Sequence, residues 1–346
     1  MSEPAQPPAP TAPATATDPA QTHVVTQWEH SSPLVSCRFD PQGRFVFAGA
    51  EDMTVQRWNL GTGAKTALAG HESWVRSLAF LPDGETLLTG GYDGRLVWWP
   101  AAAETPTPIR TVPTAHAGWI RALAVSPDGK LIASCGNDNL VRIWNAADGQ
   151  LVRELAGHAS HVYSVLFHPS GEFVVSGDLL GQIHHWDLAT GALVRKLDAG
   201  PLHTYEGGQA VHFGGVRTMA VSHDSKWLAC GGLHKATNPL GAVHEPLVLS
   251  FDWSAGSLFK SQVTPEYAGV LWRVLYHPEG YLLGIAGGSG GGVLLFWKPE
   301  EEQTFVKFGL PNLARDGDLH PDGRQVATAH SDRHLRISRL EKKAGA

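Results

Sequence analysis

GHESWVRSLAFLPDGETLLTGGYDGRLVWW, residues 70–99, carries the pattern that decides the fold. An alternating run, Val75-Arg76-Ser77-Leu78-Ala79-Phe80, leads into the turn Pro82-Asp83-Gly84, and an apolar run, Thr86-Leu87-Leu88-Thr89, follows it. Period-two alternation, a turn and a second apolar run read as strand, turn, strand. Proline presets φ for the second position of a β-turn and glycine supplies the positive φ that closes it, so the tripeptide has a mechanical reason to recur. A third strand ends in the aromatic Trp99.

The unit repeats along the chain. Pro-x-Gly returns at Pro41-Gln42-Gly43, Pro127-Asp128-Gly129, Pro169-Ser170-Gly171, Pro278-Glu279-Gly280 and Pro321-Asp322-Gly323, with a degenerate copy at His223-Asp224-Ser225. The seven anchors lie 41, 45, 42, 54, 55 and 43 residues apart, which brackets the roughly 40 to 45 residues of a four-stranded blade. Third strands end at Trp58, Trp99, Trp144, Trp186, Phe251 and Trp297. The pattern predicts an all-β fold: a single seven-bladed β-propeller of four-stranded antiparallel blades.

These repeats resemble the WD-repeat family, with Gly70-His71, Ala115-His116 and Gly157-His158 opening units and Trp58-Asn59, Trp144-Asn145 and Trp186-Asp187 closing them. The resemblance covers roughly Val24 to Leu340. It implies a hydrogen-bond chain that locks a blade, complete in two repeats: His71, Thr89, Asp93 and Trp99 in one, His116, Ser134, Asp138 and Trp144 in the next. Buried polar groups must be satisfied, and a closed chain of donors and acceptors ties three strands to an incoming loop. Other units are expected to be eroded: Leu180 stands at the aspartate position of the fourth, Gly291 at that of the sixth, and Ser338 replaces the tryptophan of the seventh. The last unit stops after its third strand, so Val24-Val25-Thr26-Gln27-Trp28 is expected to supply the missing strand and close the ring, removing exposed sheet edges.

Composition agrees with this reading. Hydrophobic residues make up 42% of the 346 residues and charged ones 17%, low for a soluble domain. Residues 1–22, rich in Pro, Ala and Thr, are expected to form a disordered tail, 23–340 the propeller and 341–346 a short C-terminal tail. The tail lacks the basic and apolar regions of a secretory signal, and no window is long and apolar enough for a membrane helix. A net charge of −6 argues against general affinity for nucleic acid. Cys37, Cys135 and Cys230 are far apart and odd in number, which reads as buried free thiols in a reducing, cytoplasmic setting.

Catalytic chemistry has one superficial support, Gly287-Gly288-Ser289-Gly290-Gly291, which fits the Gly-x-Ser-x-Gly pattern. A nucleophile elbow needs a strand, a turn and a helix, whereas this run lies between two strands of the sixth blade. Neither a phosphate-binding loop nor a zinc-protease or paired-cysteine motif occurs, so neither an enzyme nor a cofactor is expected. Two insertions in the fifth unit, residues 199–214 and 233–246, contain His203, His212, His234 and His244 and are expected on one rim. They read as a partner-recognition lobe, as solvated loops packed through Tyr205, Pro239 and Leu240, or as a small-ligand or metal site.

Six residues before each anchor stand Val35, Arg76, Arg121, Tyr163, Arg217, Trp272 and Arg315, expected near the central channel. Two residues earlier stand Pro33, Trp74, Trp119, His161, Gly215, Val270 and Leu313, placed on the same side by period-two alternation. One reading has the arginines simply paired with neighbouring acids. The other follows from the enrichment of Trp, Tyr and Arg at interface hot spots. It takes Trp74, Arg76, Trp119, Arg121, Tyr163, Arg217, Trp272 and Arg315 as the surface of a noncatalytic scaffold that binds a protein or peptide partner with acidic groups.

Overall fold

The computed structural model describes residues 16–236, 244–289 and 291–343. Seven four-stranded antiparallel sheets follow one another along the chain. Their innermost strands are Leu34–Phe39, Val75–Phe80, Ile120–Val125, Val162–Phe167, Thr218–Val221, Val270–Tyr276 and Ala314–Leu319. Innermost strands of successive blades touch, and that of the seventh blade touches that of the first, which makes a ring.

The seventh blade takes its outer strand from the other end of the chain. His23–Glu29 pairs antiparallel with His334–Arg339, Gln27 opposite Arg336 and Trp28 opposite Leu335. Packing starts before the expected Thr22 boundary. Thr17 donates its backbone N–H and its hydroxyl to Glu279, each at 2.8 Å. Asp18 N–H donates to the Leu340 carbonyl at 2.8 Å, and Pro19 and Thr22 are buried. Residues 1–15 and 344–346 of the expected tails lie outside the described residues.

Between blades the core is made by alternating inward residues. Phe47 of blade one meets Phe80 of blade two edge to face at 5.3 Å, beside a buried cluster that includes Val55, Leu78, Leu87, Val97 and Trp99. Sheets come very close near the channel: a Cβ on Gly49 would sit 2.0 Å from the Val75 carbonyl oxygen, so only glycine fits there. The anchor turns adopt the positive φ expected of them, +68° at Gly84. In the degenerate fifth copy Ser225 takes φ +60° without a glycine. Cys37, Cys135 and Cys230 are buried and free.

Candidate functional site at the channel mouth

Three consecutive blades carry the complete tryptophan–hydroxyl–histidine–carboxylate chain. In blade two Trp99 Nε1 lies 2.9 Å from Thr89 Oγ1, which is 2.7 Å from His71 Nε2, and His71 Nδ1 is 3.0 Å from Asp93. Blade three repeats this with Trp144, Ser134, His116 and Asp138 at 2.8, 2.7 and 2.8 Å. An indole N–H can only donate, so the hydroxyl accepts it and passes its own proton toward Nε2. With the hydroxyl proton toward Nε2, Nδ1–H donates to the carboxylate. Burial alone would raise the Asp138 pKa, but hydrogen bonds from His116 and Arg142 outweigh it and hold the carboxyl well below its usual range.

The fourth blade corrects the sequence reading. Leu180 does occupy the usual aspartate position, yet the chain is intact because Asp178 replaces it. His158 Nδ1 lies 2.8 Å from Asp178, His158 Nε2 2.7 Å from Ser176, and Trp186 donates to Ser176 at 2.8 Å. The acid simply comes from the end of the second strand instead of the turn after it.

The channel mouth is a cavity of about 400 Å³ lined by residues from all seven blades. Val35, Arg76, Arg121, Tyr163, Arg217, Trp272 and Arg315 all face it. The strands explain why. In six blades this residue is the extra member of a β-bulge: Leu34 pairs with Ala50 and Ser36 with Gly49, skipping Val35, and the same step skips Arg76, Arg121, Tyr163, Trp272 and Arg315. A bulge interrupts the ladder and re-aims its side chain. It also breaks the alternation used to place the preceding column. Trp74 and Leu313 of that column do line the cavity, whereas Trp119 does not. Trp119 instead stacks on Tyr92 at 4.2 Å.

The rim side chains form an alternating belt of cations and rings. Arg121 lies 4.7 Å from the Trp119 ring centre and 4.8 Å from that of Tyr163. Arg217 lies 4.9 Å from Tyr163 and 5.2 Å from Trp272, which is 5.7 Å from Arg76. On the other side Tyr92 stacks between Trp74, at 5.9 Å, and Trp119. Trp74 and Trp119 remain 40% and 42% exposed, so the belt keeps apolar surface available to a partner. Guanidinium groups held against aromatic faces are already ordered, which lowers the entropy lost on binding.

Sequence reasoning missed a second column, ten residues after each anchor: Glu51, Tyr92 and Asn137. Glu51 pairs with Arg315, while Tyr92 and Asn137 both accept from Arg121. It also missed the column five residues before the anchor, where Ser36, Ser77, Ser164 and Thr218 tie neighbouring blades by hydrogen bonds. In blade seven that column holds Asp316, which accepts the Cys37 N–H and the guanidiniums of Arg38 and Arg273.

The histidine insertions meet beside this rim. His203–Glu206 and Val211–Gly214 form a hairpin, and Phe213 packs with Trp272 against Leu233, Ala236 and Val270. His203 Nε2 lies 2.8 Å from His212 Nδ1, while His234 Nδ1 lies 3.2 Å from the Glu245 carbonyl oxygen. No group of three metal-binding side chains occurs among the described residues. Pro239 and Leu240 lie outside them. Ser289 follows one strand and precedes the strand paired with it, Gly288 opposite Gly291, and Gly290 is outside the described residues. No helix among those residues is long and apolar enough to cross a membrane.

Parts of the chain are similar to known proteins. An uncharacterized WD repeat-containing protein of Schizosaccharomyces pombe is 32% identical over 81 residues, 22% of each chain. Coronin-7 of Mus musculus is 39% identical over 80 residues, 22% of this chain and 9% of its own. Apoptotic protease-activating factor 1 of Homo sapiens is 34% identical over 71 residues, 20% of this chain and 6% of its own. The matches thus span less than a quarter of these relatives. The family model described as WD domain, G-beta repeat matches residues 21–59, 64–100, 106–145, 149–187 and 200–235, more than half of the chain, and the protein therefore belongs to the WD-repeat family.

Proposed function

We propose that this propeller is a noncatalytic scaffold that holds a protein or peptide partner bearing acidic groups on the loop face around the channel. The observation that carries the reading is the gathering of all seven equivalent rim positions, six of them bulges, into one cavity, with arginine in four of them. Membership of a repeat family whose propellers generally mediate protein contacts supports it. Aromatic anchors and ordered guanidiniums are the residue types that dominate interface energetics. The pairing of Arg315 with Glu51 takes one charge out of the rim and leaves the positive face on blades two, three and five.

The test is a double change of Arg76 and Arg121 to Glu, made once a partner has been recovered by affinity purification and mass spectrometry. Binding is expected to fall at least a hundredfold while the thermal midpoint holds. Undiminished binding by the folded variant would move the partner away from this face.

A further inference from the structure

The six arginines lining the channel mouth differ in how their charges are met. Arg38 and Arg273 flank Asp316 at 3.0 and 3.1 Å, and Arg315 pairs with Glu51. Arg76 donates to the Val35 carbonyl at 2.8 Å and reaches Asp316 only at 4.0 Å, where two other guanidiniums are closer. Arg121 donates to neutral oxygens, Asn137 at 2.8 Å and the Tyr92 hydroxyl at 3.3 Å.

Arg217 has no such partner. Among the described residues its guanidinium makes neither a hydrogen bond nor an ion pair, and its Nε is buried with nothing to donate to. Among the described residues the rings of Tyr163 and Trp272 lie 4.9 and 5.2 Å from it. Burial lowers its pKa, and the nearby Arg121 and Arg76 lower it further. Arg217 is half-buried, and a charge taken partly out of water without a counter-ion opposes folding, so its retention at the channel mouth points to an anion that arrives from outside.

The charge and shape of that anion can be read from the belt. Tyr163 holds Arg121 and Arg217 on one ring, and Trp272 holds Arg217 and Arg76 on another. The guanidinium carbons lie 4.8 to 5.7 Å from the ring centres, and among the described residues the Arg217 guanidinium has no hydrogen-bond acceptor. Two guanidiniums without any acid, and a third with only a share of one, exceed what a single planar carboxylate neutralises. A phosphoryl group carries about two negative charges near neutral pH and three acceptor oxygens, which suits several arginine edges at once.

We propose that the channel mouth is a binding site for a dianionic phosphoryl group seated against Arg217, with Arg121 and Arg76 beside it. This rests on the reading of the channel face as the binding face and names the chemistry that the face selects. The group comes free, as a small phosphate compound, or attached to a side chain of the partner.

Titration calorimetry on the full chain at fixed ionic strength tests this with four probes: inorganic pyrophosphate, acetate, a phosphoserine peptide and its glutamate counterpart. Pyrophosphate or the phosphoserine peptide is expected to bind at least tenfold more tightly than its carboxylate counterpart, and which of the two binds identifies the source. Arg217→Met should weaken that binding at least tenfold while its unliganded thermal midpoint stays level or rises. A fall in that midpoint would mark Arg217 as a structural residue and overturn the site. Failure of Arg217→Met to fold overturns the site in the same way, and in a folded Arg121→Met variant phosphate binding is expected to weaken at least tenfold. Equal affinity for phosphate and carboxylate probes, or undiminished binding by the folded variants, also overturns it. Loss of partner binding in the Arg76 and Arg121 double variant without any phosphate preference would leave the scaffold reading standing alone. A phosphate preference lost in Arg217→Met beside undiminished partner binding by the double variant would do the reverse.

Discussion

Trp28 of the closing strand stacks on Trp58 of blade one, their ring centres 6.2 Å apart. The contact joins the strand that completes the last blade to the first blade, so one side chain spans the seam of the ring. Trp28→Ala is expected to destabilise the protein by about 1 to 3 kcal/mol, less than for a fully buried tryptophan because Trp28 is half-exposed. Removing residues 1–29 deletes the whole strand and leaves the third strand of blade seven as a bare edge. Its thermal midpoint should fall far below that of Trp28→Ala. Equal midpoints for the two variants would contradict closure by this strand.

The hydrogen-bond chains make the second prediction. Asp138→Ala and Asp178→Ala each leave a buried histidine Nδ1–H without its acceptor, at an expected cost of about 1 to 3 kcal/mol. Leu180→Ala should cost much less than Asp178→Ala. Chemical denaturation of the three variants decides it, and an Asp178→Ala protein as stable as the parent would show that the fourth blade does not use this chain.

Most of the architecture was legible because the turn chemistry repeats: a tripeptide that needs proline and glycine marks every blade but one. The rim was legible as a column for the same reason. What could not be read was how the column is aimed. Alternation assumes an unbroken ladder, and a bulge at the residue of interest leaves no separate mark in the sequence of Val75-Arg76-Ser77. Asp178 was missed because position was taken as the carrier of function, whereas a carboxylate two residues away reaches the same nitrogen. The Glu51, Tyr92 and Asn137 column had a signal, a fixed ten-residue offset from the anchors, visible only when all units are aligned on the turn.

Acid should weaken the fold through its buried histidines. Burial, with help from neighbouring cations, pushes His184, His185 and His330 down to about 4 from an ordinary 6.5. Between those values the unfolded chain binds protons that the folded chain refuses, so stability is fully present above about pH 6.5 and is lost as pH falls toward 4. Asp318, pushed up to about 6 by burial, and His320, raised against its burial by its hydrogen bond to Asp322, work in the opposite sense, but burial lowers His116, His168 and His277 as well. Urea midpoints should therefore decline from pH 7 to pH 4.5. His184→Phe should flatten part of that decline, and a level profile in the parent protein would refute the assignment.

The last prediction concerns salt. Four guanidiniums occupy the rim positions, among six that line the channel mouth, although the chain carries −6 overall, and Arg76, Arg121 and Arg217 are short of acid partners. Their field attracts an anionic partner and weakens as ions screen it, with a screening length of about 10 Å at 0.1 M salt and 3 Å at 1 M. Trp74 and Trp119 contribute through burial of exposed apolar surface, which moderate salt does not weaken. Affinity should thus fall with rising salt to a plateau instead of vanishing, and the fall should lie mainly in the association rate. In Trp74→Ala and Trp119→Ala the plateau should drop, by about 1 to 2 kcal/mol each, while the slope against salt stays that of the parent. In the Arg76 and Arg121 double variant the slope itself should flatten. Identical salt slopes in the parent and the arginine variant would show that the positive rim does not steer the partner.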